Sequence, residues 1–223
     1  MITQAQVLGK DSSQLVECQQ GFRLLPEVCS AFTKMQKAAA KDNVDLQIVS
    51  SYRSFERQRL IWQNKWSGKS TLLDANERTL DATTLTDEKK LHAILTWSAL
   101  PGASRHHWGS DLDVYDKKSV EQSQHNFQLV CSEYDQGPCS KLNLWLNEHA
   151  NKFGFERPYA KYQGGIAREP WHLSFQASAD KMLHHLDEHM LLENLKHSNI
   201  KGFECIEANM PKIYQQYILN RGV

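Results

Sequence analysis

Two short segments, Ser104-Arg-His-His-Trp-Gly-Ser-Asp-Leu-Asp113 and Glu169-Pro-Trp-His172, constrain this chain more than any other feature. Between them they hold the kit of a hydrolytic metal site: His106, Asp113 and His172 as ligands, Glu169 as base. A zinc ion that activates water keeps three protein ligands and one open position, with a carboxylate nearby to move protons. Two neutral imidazoles and one carboxylate leave a divalent ion one net positive charge, so it stays a good Lewis acid. One Zn2+ per chain is the expectation. Any fold that uses this set must bring two distant stretches of chain to one point.

The local sequence suggests how. Seven residues is nearly two helical turns, so His106 and Asp113 could share a helix face. Gly109 and the alternation Asp111-Leu-Asp-Val-Tyr115 favour instead a loop histidine feeding a half-buried strand. On that strand Leu112 and Val114 face the core while Asp111 and Asp113 share the other side. His107 is the rival to His106, one residue closer to Asp113. Pro170 disfavours helical geometry at Glu169. Positions i and i+3 of a flat strand point to opposite faces, so Glu169 is expected where the strand begins or bends.

The surrounding pattern mixes helical and strand periods. Phe32, Met35, Ala38 and Ala39 recur at helical spacing within residues 26–41, with Lys34, Lys37 and Lys41 largely on the other face. Leu46, Ile48 and Val49 read as a buried strand. Ser54 is an expected N-cap, with Glu56 in the first turn and Leu60, Ile61 and Trp62 continuing the helix. Residues 67–86 read as an irregular surface segment, and Thr86 or Asp87 starts a helix through Trp97. Residues 142–153 look helical, stopped by Gly154. An edge strand and a short strand at 171–175 follow, and from Ser178 the chain is mostly helical with a break near Gly202. Helices packed on a small antiparallel sheet make an α+β fold. Residues 1–177 form the expected catalytic domain, and 178–223 a C-terminal helical extension packed on it, as a cap or an oligomer contact.

Composition narrows the partners. The chain has 223 residues, 40% of them hydrophobic, and no linker divides it. Lys+Arg and Asp+Glu stand at 26 each, so nothing electrostatic points to nucleic acid or an anionic membrane surface. No apolar run approaches the roughly 18 residues of a membrane span, and the oligomeric state is not legible. Residues 1–10 lack the basic start and apolar stretch of a secretory signal, so a cytoplasmic location is expected, with a periplasmic or secreted one as the alternative if a leader was removed. Of five cysteines at least one is unpaired within the chain. Cys131 and Cys139 flank a turn-like loop that a disulfide could close, but free thiols in a reducing cytoplasm are the plainer expectation.

The pattern Ser-x-His-x-x-Gly-x-x-x-Asp followed by Glu-x-x-His resembles the signature of the LAS metallopeptidases, VanY-type D-alanyl-D-alanine carboxypeptidases in particular. Ile48-Val-Ser-Ser-Tyr-Arg-Ser-Phe-Glu-Arg-Gln58 and Phe153-Gly-Phe-Glu-Arg-Pro158 extend the likeness. The resemblance implies zinc on His106, Asp113 and His172, Glu169 as catalytic base, and Arg53 as the cation that stabilises the transition state. It also implies Gln58 and Ser104 as substrate-side hydrogen-bonding groups, and a peptidoglycan-type peptide that loses a C-terminal D-amino acid, D-alanine first. Independently, Arg53 stands just before a predicted helix start, where free N–H groups and the dipole favour an anion. Its guanidinium suits an oxyanion or a terminal carboxylate. Asp111 departs from the family, which often has alanine there; it could tune the metal, bind substrate or face water. An L,D-carboxypeptidase, a D,D-dipeptidase, an endopeptidase or a non-catalytic wall-peptide binding module remain open alternatives.

Overall fold

The structure, a computed structural model, describes residues 1–124 and 126–221; His125, Gly222 and Val223, including the last two residues of the extension, lie outside it. A one-turn helix α1 (Gln4–Val7) leads into a hairpin of β1 (Val16–Gln19) and β2 (Phe22–Leu24). Helix α2 (Pro26–Lys41) starts with proline, whose missing N–H is one of the unpaired first-turn donors anyway. It buries Val28, Phe32, Met35 and Ala39. Strand β3 (Leu46–Ser50) runs to helix α3 (Phe55–Trp66), where the Ser54 hydroxyl accepts the Arg57 N–H as N-cap. A small hairpin, β4 (Leu72–Leu73) and β5 (Thr79–Leu80), precedes α4 (Asp87–Trp97), capped by Thr86. Strand β6 (Asp111–Asp116) is followed by α5 (Lys117–Ser123), α6 (Cys131–Asp135) and α7 (Ser140–His149). A 3-10 turn (Ala150–Phe153) ends at Gly154, whose φ of 83° places it in the left-handed region. Then come β7 (Phe155–Glu156), β8 (His172–Phe175), α8 (Gln176–His184), α9 (Glu188–Lys196), α10 (Phe203–Ile213) and a π turn (Tyr214–Ile218).

The principal sheet is four-stranded and antiparallel, in the order β3-β6-β8-β7. Its central pair sets the site. Asp113 lies opposite His172 and Asp111 opposite Ser174, while on the other side of β6 Ser50 faces Asp113 past an irregularity in β3. Leu112, Val114 and Leu173 pack with Phe32, Met35, Leu46 and Trp145. The acidic side of β6 is covered as well, so Asp111 and Asp113 are buried and the strand is not half-exposed as its alternation suggested.

A second apolar cluster joins Trp62, Leu91 and Ile94 to residues of the C-terminal helices, including Leu191, Leu195, Ile206 and Met210. The Trp62 indole donates to the Lys201 carbonyl at 3.0 Å. Gly202 has φ of 75° and lies so close to Trp66 that a Cβ would sit 2.2 Å from the ring. Beyond α10, Gln216 donates to the Gly164 carbonyl, and Asn220 to that of Pro158 at 3.2 Å. The extension thus braces the loop that leads to Glu169. Residues 67–86 are more ordered than expected: Leu72 is buried in this cluster, and the Trp97 indole donates to the Asp74 carbonyl at 2.9 Å.

Cysteine pairing differs from the sequence expectation. Cys18 and Cys29 form a disulfide that ties β1 to α2. Cys131 and Cys139 remain unpaired, as does Cys205. Cys139 is buried at the start of α7, while the Cys131 thiol donates to the Arg168 carbonyl at 3.2 Å. Among the described residues no helix is long and apolar enough to cross a membrane.

Candidate metal centre

His106 sits in a 3-10 turn (Arg105–Trp108) that ends at Gly109, whose φ of 70° lets the chain reverse into β6. The loop histidine and strand aspartate therefore arise as the alternation implied. The His106 Nδ1–H donates to the Ser51 carbonyl at 2.8 Å, which fixes the tautomer and leaves Nε2 free to face Asp113 at 3.4 Å. His107 is no rival ligand. It is fully buried, its Nδ1–H donates to the Arg53 carbonyl at 2.5 Å, and its Nε2 accepts the Gly102 N–H at 3.0 Å. With both nitrogens engaged and burial holding its pKa down to about 3, it is a neutral structural imidazole.

His172 opens β8 directly opposite Asp113. Its Nδ1 lies 3.1 Å from the Asp113 carboxylate and 3.6 Å from Glu169, and its Nε2 is 3.0 Å from Asp111. The His106 and His172 rings meet edge to face with centroids 5.1 Å apart. One donor atom each from His106, Asp113 and His172 lies within 4.8 Å of the others. Zinc bonds of about 2.0–2.2 Å at tetrahedral angles would separate ligand atoms by about 3.3 Å. The 3.1 Å from His172 Nδ1 to Asp113 Oδ1 and the 3.4 Å from His106 Nε2 to Asp113 Oδ2 are near that size, and all three donor atoms lie within 4.8 Å. The donor set therefore suits a zinc-sized cation.

The electrostatics sharpen the fit. Burial alone would lower the pKa of His172, but the hydrogen bonds and charges of Asp111 and Asp113 raise it to about 10. Burial lowers that of His106 to about 4, with the Arg53 charge adding to the effect and Asp113 opposing it. Burial would raise the pKa of Asp113, yet His106, His172 and Arg53 together hold it below the usual carboxylate range. His172 Nδ1, now beside Asp113, would have to be deprotonated to serve as a ligand, so metal affinity at this site is expected to rise with pH.

Asp111, the departure from the family pattern, has a definite place. It is fully buried, accepts from Arg105 Nε at 2.8 Å and from the Ser110 hydroxyl at 2.5 Å, and meets His172 Nε2 on the side away from Asp113. Arg105 continues to the Ser174 hydroxyl at 2.6 Å. Of the three roles open in the sequence, its burial removes solvent exposure, and its place behind His172, off the cavity wall, favours an effect on the ligand histidine.

Glu169 lies on the bend before β8, where its carbonyl accepts the His172 N–H and its own N–H donates to the Tyr159 carbonyl. Its carboxylate faces the histidine–aspartate cluster, and burial raises its pKa to about 7. Arg53 stands just ahead of α3 as expected, donating to Gln58 at 2.9 Å and to the Ser50 hydroxyl at 3.3 Å. Both act on a shared cavity of about 350 Å³, walled by Ile61 and Lys65 of α3, Leu95 and Trp97 of α4, and Ser104 and Tyr159 from loops. Gln58 does not reach it. The residue is fully buried, its amide N–H donates to the Ala99 carbonyl at 2.8 Å and its oxygen accepts from Arg53. The structure places Gln58 beneath Arg53, which it holds, and away from the cavity wall where a substrate-side role was expected. Ser104 does line the cavity, and its hydroxyl makes no hydrogen bond among the described residues.

Tyr159 and Lys65 are cavity residues that the sequence did not single out. The Tyr159 ring lies 4.8 Å from that of His172. Its only sequence signal was its place one residue after Phe153-Gly-Phe-Glu-Arg-Pro158.

Comparison with known proteins places this arrangement. Residues 21–178 match the sequence profile of VanY, described as D-alanyl-D-alanine carboxypeptidase. The chain belongs to that family. A Haemophilus influenzae relative, an uncharacterized protein, is 31% identical over 127 residues, covering 56% of this chain and 96% of its own. Two solved structures share the fold. VanYB in complex with D-alanine-D-alanine aligns with a TM-score of 0.54 at 23% identity, over 84% of this chain and 90% of that one. A vancomycin-resistance D,D-pentapeptidase VanY in complex with Zn(II) aligns with a TM-score of 0.52 at 24% identity, over 81% and 90%.

Proposed function

We propose that this chain is a zinc carboxypeptidase that removes a C-terminal D-amino acid, D-alanine in the first instance, from peptidoglycan-type peptides. The observation that carries the reading is the convergence of His106, Asp113 and His172 at the wall of a cavity that also holds Glu169 and Arg53. Membership of the VanY family and the fold shared with Zn(II)- and D-alanine-D-alanine-bound neighbours support it. His106 would hold the ion through Nε2, His172 through Nδ1 and Asp113 through a carboxylate oxygen. Zinc in that position supplies Lewis acidity and lowers the pKa of water to about 7.

The chain's own groups do the rest. Glu169 takes the proton of the attacking water and passes it to the leaving amine; its buried carboxylate is a stronger proton acceptor than an exposed one. Arg53, held by Gln58 and Ser50, offers a fixed positive charge to the oxygen of the scissile carbonyl as negative charge develops there. Asp111 accepts from His172 Nε2 and so keeps Nδ1 turned toward the metal position. A wall-peptide binding module would have no need of a base at Glu169. The Cys18–Cys29 disulfide supports an oxidising compartment as the working location in place of the cytoplasm, since such bonds persist there.

The test is release of D-alanine from acylated peptides ending in D-Ala-D-Ala, before and after chelation. Zinc-loaded protein is expected to release D-alanine, to lose activity on chelation and to regain it with zinc. Release that ignores the chelator, or no release from any peptide ending in a D-residue, would overturn the proposal. Comparing the pentapeptide, tetrapeptide and dipeptide separates D,D-carboxypeptidase from L,D-carboxypeptidase and dipeptidase action.

Asp111→Asn gives a second check. It weakens the acceptor of His172 Nε2 and is expected to reduce zinc affinity by about 10–100-fold, read by competition with a chromophoric chelator. Wild-type affinity would leave Asp111 as no more than the partner of Arg105.

A further inference from the structure

Helix α3 sends three consecutive contact positions toward the site, Gln58, Ile61 and Lys65, spaced three and four residues apart along one face. Gln58 orients Arg53 from beneath; Ile61 and Lys65 line the cavity itself. Lys65 is half-buried and, among the described residues, its ammonium makes no hydrogen bond and no ion pair within 4 Å. The other two cations of the cavity wall are engaged: Arg53 with Gln58 and Ser50, and Arg105 with Asp111. Taking an ammonium part-way out of water without a partner is unfavourable. The strain is visible in its pKa, drawn down to about 8 by burial although the Glu169 charge opposes the shift.

The charges of the cavity indicate what would relieve it. Arg105 on the cavity wall is offset by Asp111, which leaves Arg53 and Lys65 against Asp113 and Glu169, with the His172 proton in addition while no ion is bound. A divalent ion at the histidine–aspartate cluster tips the balance to two positive charges. A peptide cleaved at its last bond brings two negative ones: the oxyanion that develops on the carbonyl, and the α-carboxylate of the residue beyond it. Arg53 is held at the start of α3 by Gln58, whereas Lys65 stands seven residues, about 10 Å of helix rise, farther along that helix on the cavity wall. The terminal carboxylate likewise lies one residue, about 3.8 Å of Cα spacing, beyond the scissile bond.

We propose that Lys65 binds the free α-carboxylate at the C-terminus of the substrate and thereby selects terminal over internal peptide bonds. This rests on the carboxypeptidase reading of the same cavity. Lys65 does not take part in bond breaking; it sets which peptide end enters and how tightly.

Binding without turnover tests this. Calorimetry on zinc-loaded Glu169→Gln protein would compare diacetyl-L-lysyl-D-alanyl-D-alanine with its C-terminal carboxamide. The acid is expected to bind about 10–100-fold more tightly than the amide, the size of one charge-assisted contact. Adding Lys65→Met should remove that preference and leave amide affinity unchanged, and Lys65→Arg should restore most of it. The assignment is overturned if Lys65→Met keeps the preference, if neither peptide binds, or if the preference follows a carboxylate placed on the preceding side chain of the amidated peptide. If the acid is preferred but protein with Glu169 intact leaves it uncleaved, the hydrolytic reading fails while the assignment of Lys65 stands.

Discussion

Glu169→Gln is expected to keep its zinc and lose turnover by a factor of about a thousand or more in kcat, within the range of general acid–base catalysis combined with its loss of charge. The substitution is nearly isosteric. The backbone links from residue 169 to Tyr159 and His172 do not involve the side chain, so the bend before β8 is retained. What disappears is a proton acceptor facing the metal cluster. Glu169 is not one of the three converging ligands, so zinc content measured by elemental analysis should stay near that of the wild type. A variant with kcat within a few-fold of the parent would remove Glu169 from the chemistry. One that lost both zinc and activity would make it a ligand rather than a base.

His172→Ala is expected to act on the metal instead. Among the described residues, His172 alone touches Asp111, Asp113 and Glu169 together. Without it the remaining donors, His106 and Asp113, form a two-point site. Zinc affinity should fall by more than the roughly 100-fold that an outer partner controls, and purified protein should carry little metal. The metal-free variant is also expected to be less stable. Asp113 loses its nearest imidazole while buried, a change worth about 1–3 kcal/mol for an unsatisfied buried acceptor. Thermal unfolding with and without zinc separates the effects: the wild type should gain stability from the ion and the variant should not. Full zinc occupancy in His172→Ala would show that the ligand set is wrong.

How much of this was legible depended on how local the cause was. Helix α2 begins at Pro26 and ends at Lys41 because its apolar stripe and flanking residues encode both ends. Ser54 and Thr86 announce α3 and α4 by capping chemistry that needs only the next three residues. The meeting of His106, Asp113 and His172 was suggested by Gly109, by strand alternation and by Pro170, each a short-range signal, together with a family resemblance. What escaped were decisions taken by tertiary contact. The Cys18–Cys29 bond depends on how the first hairpin docks on α2, and 11 residues of separation say nothing of that. Gln58 was expected to face substrate. Only the position of the Ala99 carbonyl explains why its amide turns inward. Asp111 had three open roles until Arg105 was seen beside it, and Lys65 became notable only because no carboxylate among the described residues lies within 4 Å of its ammonium.

The central claim is that one zinc ion sits between His106, Asp113 and His172. Anomalous diffraction from zinc-loaded crystals, recorded on both sides of the zinc absorption edge, tests it most directly. The account predicts a single strong peak about 2.0–2.2 Å from His106 Nε2, His172 Nδ1 and an Asp113 carboxylate oxygen. A peak on other residues, or none at that point in protein shown to contain zinc, would contradict it.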